Sequence, residues 1–256
     1  MIKVKNIIFR IVNRDFSKYL EIKYLIFSLA AKIYLYESVE IRVLRKVLKK
    51  GDLVVDGGAN LGIYSKIMAH LVGEKGLVLS FEPLSFLCVY IKEKIKSDNV
   101  RVIQKALSDE NKQIKIYIPF IGNGLLEPAL ASLEPLKMPA LEQIVDCVKL
   151  DNQTNEDRKV SFIKIDLEGH EMTALLGSER ILRIDRPIVQ FEENQMIEKK
   201  EKWFNFATAY NYQILDIRTR LRKSRKNYYL VPNEKAINFI NNSIKGFQVK
   251  VISDVK

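Results

Sequence analysis

Four short apolar runs in this chain each end on an acid. Asp56 closes LVVD, Glu82 closes LVLSFE, Asp166 closes FIKID and Glu192 closes PIVQFE. An unpaired carboxylate is a poor core residue, so acids that recur where buried runs stop point to one polar crevice rather than to packing. The first acid is followed by GGANLG (57–62), small residues that let a backbone turn tightly and approach a ligand. An ordinary strand-to-helix turn uses small residues too, so the surrounding elements must decide between the two readings.

Those elements alternate. Asp52–Asp56 reads as a buried strand after Gly51, Leu61–Leu71 has helical spacing, Leu77–Phe81 is a strand, Leu84–Lys96 a helix and Val100–Lys105 a strand. Gln113–Ile118 (QIKIYI) alternates as a strand with one wet face. Residues 119–144 hold four of the seven prolines plus Gly122 and Gly124, and read as a long irregular loop. A strand at Val160–Ile165, a helix from Glu171 to Leu182, a strand at Pro187–Glu192 and a helix at Lys199–Tyr210 follow. Gln213–Ile217 and Tyr228–Val231 close the pattern as an antiparallel pair. Alternation of this kind means parallel strands joined by helical crossovers, hence a doubly wound α/β sheet. Ligands in such sheets lie beyond the carboxyl ends of the strands, where the strand order reverses, and all four acids fall at such ends.

The turn is not a nicotinamide fingerprint. Counting GxGxxG from Gly57 gives Gly57, Ala59 and Gly62, so the central glycine that admits a pyrophosphate is missing. An acid precedes the turn and Asn60 lies within it, which suits a ligand with a cationic or amine-bearing group. S-adenosylmethionine is such a ligand. Asp56, Gly57, Gly58, Asn60 and Gly62 would receive its amino-acid tail, and Glu82 would take both ribose hydroxyls. Ser108 and Asp109, in KALSDE after the third strand, are placed to meet an adenine edge; a plain turn acid is the competing reading of Asp109.

VVDGGANLGIYS, FEP, ALSD and above all FIKIDLEGHE resemble the FkbM-type S-adenosylmethionine-dependent methyltransferases, over roughly residues 50–195. The resemblance implies a seven-stranded class I methyltransferase fold (Rossmann-like, mostly parallel), residues 1–48 being a helical extension and 49–256 the methyltransferase domain. It also implies methyl transfer to an oxygen of a sugar, a glycan or another small natural product. Transfer to an alcohol gains from in-line alignment and from removal of the hydroxyl proton. Asp166 is the first candidate for the polar centre at the methyl, followed by Glu168. Glu171 starts a helix, where an acid is also favoured by the dipole. His170 is a further candidate base, and Lys164, two residues before Asp166, points to the same side and can pair with an acid. Asp166, Glu168 and Glu192 could instead hold a divalent cation, since hard cations favour oxygen ligands.

Composition narrows the alternatives. The 256 residues suffice for one α/β domain with a sizeable core. Cys88 and Cys147 form no CxxC pair, which argues against a disulfide framework or zinc cluster and suits a reducing cytoplasm. A net charge of +11 attracts acidic partners, so an RNA ribose methyltransferase is the first alternative, although no nucleic-acid motif occurs. The dense run RTRLRKSRK (218–226) reads as a solvated hairpin loop before an anion site. The N-terminus lacks the clean apolar segment of a signal peptide. The apolar stretch 19–36 is interrupted by Glu21, Lys23 and Lys32, and its longest uncharged run, Tyr24–Ala31, falls short of the roughly 20 residues of a membrane span. It reads as a core-packing helix. A peripheral membrane contact, in a non-catalytic cofactor-binding protein or beside catalysis, is the second alternative.

Overall fold

The computed structural model describes residues 18–19, 21–22, 24–25, 39–121, 125–132, 135–155, 157–193, 195–218, 227–244 and 246–252. Most of the apolar stretch 19–36, and the basic run beyond Arg218, lie outside the described residues.

From residue 39 the chain runs through helix α1 (Val39–Val47), strand β1 (Leu53–Gly57), helix α2 (Ile63–Val72), β2 (Leu77–Phe81), α3 (Ser85–Lys94) and β3 (Val100–Ile103). Four strands of a second, smaller sheet follow: β4 (Ala106–Leu107), β5 (Lys112–Ile121), β6 (Leu125–Leu126) and β7 (Ala140–Val148). The main sheet resumes with β8 (Val160–Ile165), α4 (Glu171–Leu176), β9 (Ile188–Glu192), α5 (Lys200–Ala209), β10 (Tyr212–Arg218), β11 (Asn227–Pro232), α6 (Asn233–Asn238) and β12 (Gln248–Ile252).

The main sheet has eight strands in the order β12-β10-β11-β9-β8-β1-β2-β3. Strands β3, β2, β1, β8 and β9 run parallel, while β11, β10 and β12 pair antiparallel. The first three parallel strands stack outward one way from β1, and the return strand β8 pairs on its other side. The order reverses between β1 and β8, which opens a crevice over their carboxyl ends. β1 is buried along its whole length, as a parallel strand covered on both faces must be. Leu53, Val55, Phe81, Ile163 and Phe191 pack on one face with Trp203 and Phe206 of α5; Val54, Val78 and Phe162 pack on the other with Ile41 and Leu44 of α1 and Met68 of α2.

Three expectations need correction. The sheet has eight strands, not seven. The added β12 is an edge strand with little buried surface, so QVKVI lacks the apolar run that announces a core strand. Residues 119–144 are not an irregular loop: β5 runs on to Ile121, a short helical turn spans Pro128–Leu130 and β7 starts at Ala140. In β7 an inward Gln143 and an outward, exposed Ile144 invert the pattern that reveals a half-buried strand. The helix beginning at Glu171 ends at Leu176, where Gly177 follows, and a separate wide helical turn spans Ile181–Asp185.

Candidate active site

The glycine turn is shaped by close approach. Gly58 has φ +72°, and a Cβ there would stand 1.9 Å from the Asp166 carbonyl oxygen, so no other residue lets the end of β1 lie against the end of β8. The Gly58 and Ala59 N–H groups donate to the Phe81 carbonyl at 3.0 Å, which ties the turn to β2. Gly57 is the last residue of β1 and Gly62 stands at the start of α2. Asn60 and Glu168, which face one cavity, both have positive φ, 50° and 53°. Non-glycine residues hold that conformation at a cost and concentrate at functional sites.

Glu82 is fixed by two backbone donors. Asn60 N–H donates to Oε2 and Leu84 N–H to Oε1, each at 2.9 Å. Burial is the main influence on this carboxyl and, with Asp56 nearby, pushes it up to about 7 against the two N–H contacts. A carboxylate offers about four acceptor sites. The two N–H groups orient its plane and leave one site on each oxygen, as a vicinal diol requires. Glu82 lines a cavity of about 140 Å³ with Gly58, Asn60, Pro83, Leu84, Ala106 and Leu107, and with Asp166, Glu168 and His170. Ile114 and Ile116 of β5 and the Pro128–Ser132 segment form its roof. These residues fit S-adenosylmethionine: a diol-binding acid, an apolar slot beside it and a close backbone turn.

Beneath the turn runs a buried polar row. Ser80, Asp56, Lys164, Gln190 and Tyr229 are cross-strand partners on five consecutive strands. Asp56 is fully buried and accepts a 2.6 Å bond from the Ser65 hydroxyl. Lys164 Nζ stands 3.4 Å from Asp56 Oδ1 and 3.7 Å from Asp166 Oδ2, under the ring of Tyr64. Burial alone would depress the ammonium; Asp56 and Asp166 more than reverse this and hold it above its ordinary value. Lys164 therefore pairs with both acids, as its place on the strand implies.

A second cavity, of about 220 Å³, adjoins the first and shares Asp166 and Glu168 with it. Gly169, Glu171, Glu192, Glu193, Gln195 and Lys199 complete its lining. Glu168 stands exposed at the shared rim; desolvation, then Asp166, Glu192 and Glu171, push its carboxyl up to about 7, an effect that water reaching the rim screens in part. Burial and then Asp166 raise Glu192 as well. Glu171 serves the fold, because its Oε1 accepts the Leu167 and Gly169 N–H groups at 2.8 and 3.1 Å and so holds the turn. Glu193 accepts from the Trp203 indole at 2.9 Å.

Ser108 and Asp109 do not line the cavity that holds Glu82. Ser108 is fully buried, and its Oγ donates to Asp109 Oδ1 and meets His170 Nε2, both at 3.1 Å. His170, which does line the cavity, is held below the ordinary imidazole range by burial. Among the described residues, no three His, Cys, Asp or Glu side chains are arranged to hold a metal ion, Asp166, Glu168 and Glu192, the alternative cation set, included. The cavity roof and the pair Glu193 and Lys199 escaped sequence reasoning; the inward isoleucines of QIKIYI were the available signal for the roof.

A larger groove lies at the opposite end of the strands, lined by Lys50, Lys66, Lys75, Lys94 and Lys96. Three of these are engaged internally, with the His70 carbonyl, the Tyr24 hydroxyl and Glu21. Among the described residues, no helix is long and apolar enough to cross a membrane.

Residues 56–229 match the model of the methyltransferase FkbM domain. The chain belongs to the FkbM methyltransferase family. The FkbM methyltransferase of Methylobacillus flagellatus KT is structurally similar, with a TM-score of 0.50 and 16% identity over 73% of this chain and 47% of that one. Protein-L-isoaspartate O-methyltransferase 2 of Archaeoglobus fulgidus is 30% identical over 95 residues, which cover 34% of this chain and 43% of that protein. The chain thus spans under half the length of each of these two relatives. The structural likeness supports the class I methyltransferase fold, and the matched residues 56–229 take in the carboxyl ends of β1, β2 and β8.

Proposed function

We propose that this FkbM-family domain is an S-adenosylmethionine-dependent O-methyltransferase whose acceptor is a polyhydroxylated small molecule, a sugar or glycan. One observation carries the reading: the diol-ready Glu82 and the carboxylates Asp166 and Glu168 face one cavity over the switch in strand order. When bound, S-adenosylmethionine supplies an electrophilic methyl on a sulfonium. Glu82 and the Gly58 turn orient it, and Asp166, paired with Lys164, keeps negative charge near the sulfonium. Glu168, at the junction of the two cavities, accepts the hydrogen bond of the acceptor hydroxyl and takes its proton; a carboxyl near neutrality suits that role.

The second cavity favours the acceptor class. Its lining sets Asp166, Glu168, Glu171, Glu192 and Glu193 against one lysine, Lys199, so it favours a ligand rich in donors and disfavours an anionic one. The overall positive charge does not carry over to this pocket. Calorimetric titration with S-adenosylhomocysteine, followed by radiolabelled methyl transfer to a panel of neutral sugars, phosphorylated sugars and RNA, tests the proposal. Binding plus transfer to a neutral polyol supports it, transfer to RNA overturns the acceptor class, and absence of binding overturns the cofactor.

A further inference from the structure

The cavity that holds Glu82 is also lined by Pro83, Leu84, Ala106 and Leu107, which give it an apolar slot. A nucleobase is joined directly to its ribose, so a ribose on Glu82 places the base in that slot. Apolar walls grip the faces of a base; its identity must be read at the edge. Adenine carries an amine at C6, where guanine and hypoxanthine carry a carbonyl, and that donor asks for an acceptor. Asp109 was the expected reader, and it lies behind the wall, bonded to Ser108. His170 is the slot residue that Ser108 touches.

The hydrogen bonds of these three residues set a tautomer. Asp109 carboxylate can only accept, so the single Ser108 hydroxyl proton goes to Asp109 Oδ1. Ser108 Oγ can then only accept from His170, so Nε2 carries the imidazole proton. Nε2 is turned to the buried Ser108, and Nδ1 is left with a lone pair for a ligand. Gly177 fixes the distance: a Cβ there would stand 1.9 Å from the Ser108 carbonyl oxygen, so the end of α4 lies directly on Ser108 and carries His170 with it.

We propose that His170, held as its Nε2–H tautomer by the positioning residues Ser108 and Asp109, reads the exocyclic amine of adenine through Nδ1 and makes the site selective for adenosyl over inosyl cofactors. The inference rests on the cofactor reading above and moves His170 from the proton transfer to base recognition. An inosyl ligand presents a carbonyl in place of the amine, and two acceptors then face each other.

Calorimetry on the full chain with S-adenosylhomocysteine and S-inosylhomocysteine tests this without an acceptor. Wild type is expected to prefer the adenosyl compound by roughly ten-fold or more, the scale of one exchanged hydrogen bond. His170→Phe keeps the ring's bulk and should bind the two compounds alike. In Ser108→Ala the preference should shrink, and imidazole ¹⁵N spectra should change from a single Nε2–H pattern to a mixture of tautomers. Equal binding by wild type, a preference that survives in His170→Phe, or an Nδ1–H pattern in wild type would each overturn the proposal. Binding of neither compound would overturn the cofactor reading itself, which separates the two failures.

Discussion

Lys164 Nζ lies between Asp56 Oδ1 at 3.4 Å and Asp166 Oδ2 at 3.7 Å, and so links the residue before the glycine turn to the residue that follows the end of β8. Lys164 and Asp56 are both buried, so removing one partner leaves the other as an uncompensated charge. Lys164→Met should destabilise the fold by about 3–5 kcal/mol, the usual cost of breaking a buried pair from one side. The double variant Asp56→Asn with Lys164→Met should recover a large part of that loss, because no charge is then stranded. Urea unfolding of the wild type, the two single variants and the double variant checks this; additive losses would mean the pair is not energetically coupled.

Glu82 is the residue on which cofactor affinity should depend most directly. Glu82→Ala removes the acceptor of the Asn60 and Leu84 N–H groups as well as the acceptor proposed for the ribose. Affinity for S-adenosylhomocysteine should fall by about 1–3 kcal/mol, the range of a charge-assisted contact. Titration of both proteins at pH 8, where the wild-type carboxyl is ionised, gives the comparison; unchanged affinity would remove Glu82 from the site.

Much of this site could be read from the chain because the physics that buries β1, β2, β8 and β9 makes their terminal acids conspicuous. Asp56, Glu82, Asp166 and Glu192 stand out against apolar runs, and Gly58 stands out because only it tolerates the Asp166 carbonyl. Legibility fell where contacts are long-range in sequence. Ser108 meets His170 across 62 residues, and nothing in ALSD announces that its serine faces a histidine rather than a base. β7 stayed hidden because its exposed Ile144 and inward Gln143 reverse the expected alternation. Lys164 was legible through the two-residue period of a strand, which puts it on the side of Asp166.

The raised carboxyl of Glu82 has a consequence for stability against pH. Its folded value is about 7 against 4.5 for the free group, so between those values the folded protein binds a proton that the unfolded chain has released. Stability from this group is therefore fully present below about pH 4.5 and declines as pH rises to about 7, then stays flat. The wild-type curve should fall by a few kcal/mol across that window. Glu82→Gln, which does not titrate, should remove that part of the slope. Thermal melts of both proteins from pH 4 to 8 measure the difference, and parallel curves would place the proton elsewhere.

Glu168 holds φ at 53°, where a side chain with a Cβ is strained, and it does so at the rim shared by the two cavities. Replacing it with glycine relieves about 1 kcal/mol of backbone strain and also removes one of the carboxylates crowded around Asp166, against the entropy that glycine adds to the unfolded chain. Glu168→Gly should therefore melt no lower than wild type, and higher above pH 7 where the carboxylates repel. If Glu168 takes the acceptor's proton, the same variant should lose methyl transfer by about 100-fold or more while binding S-adenosylhomocysteine as before. A variant that is stable and cofactor-competent yet inactive is what a functional residue held under strain predicts. A variant that melts several degrees lower, or that transfers methyl normally, would show that the left-handed turn at Glu168 serves only the fold.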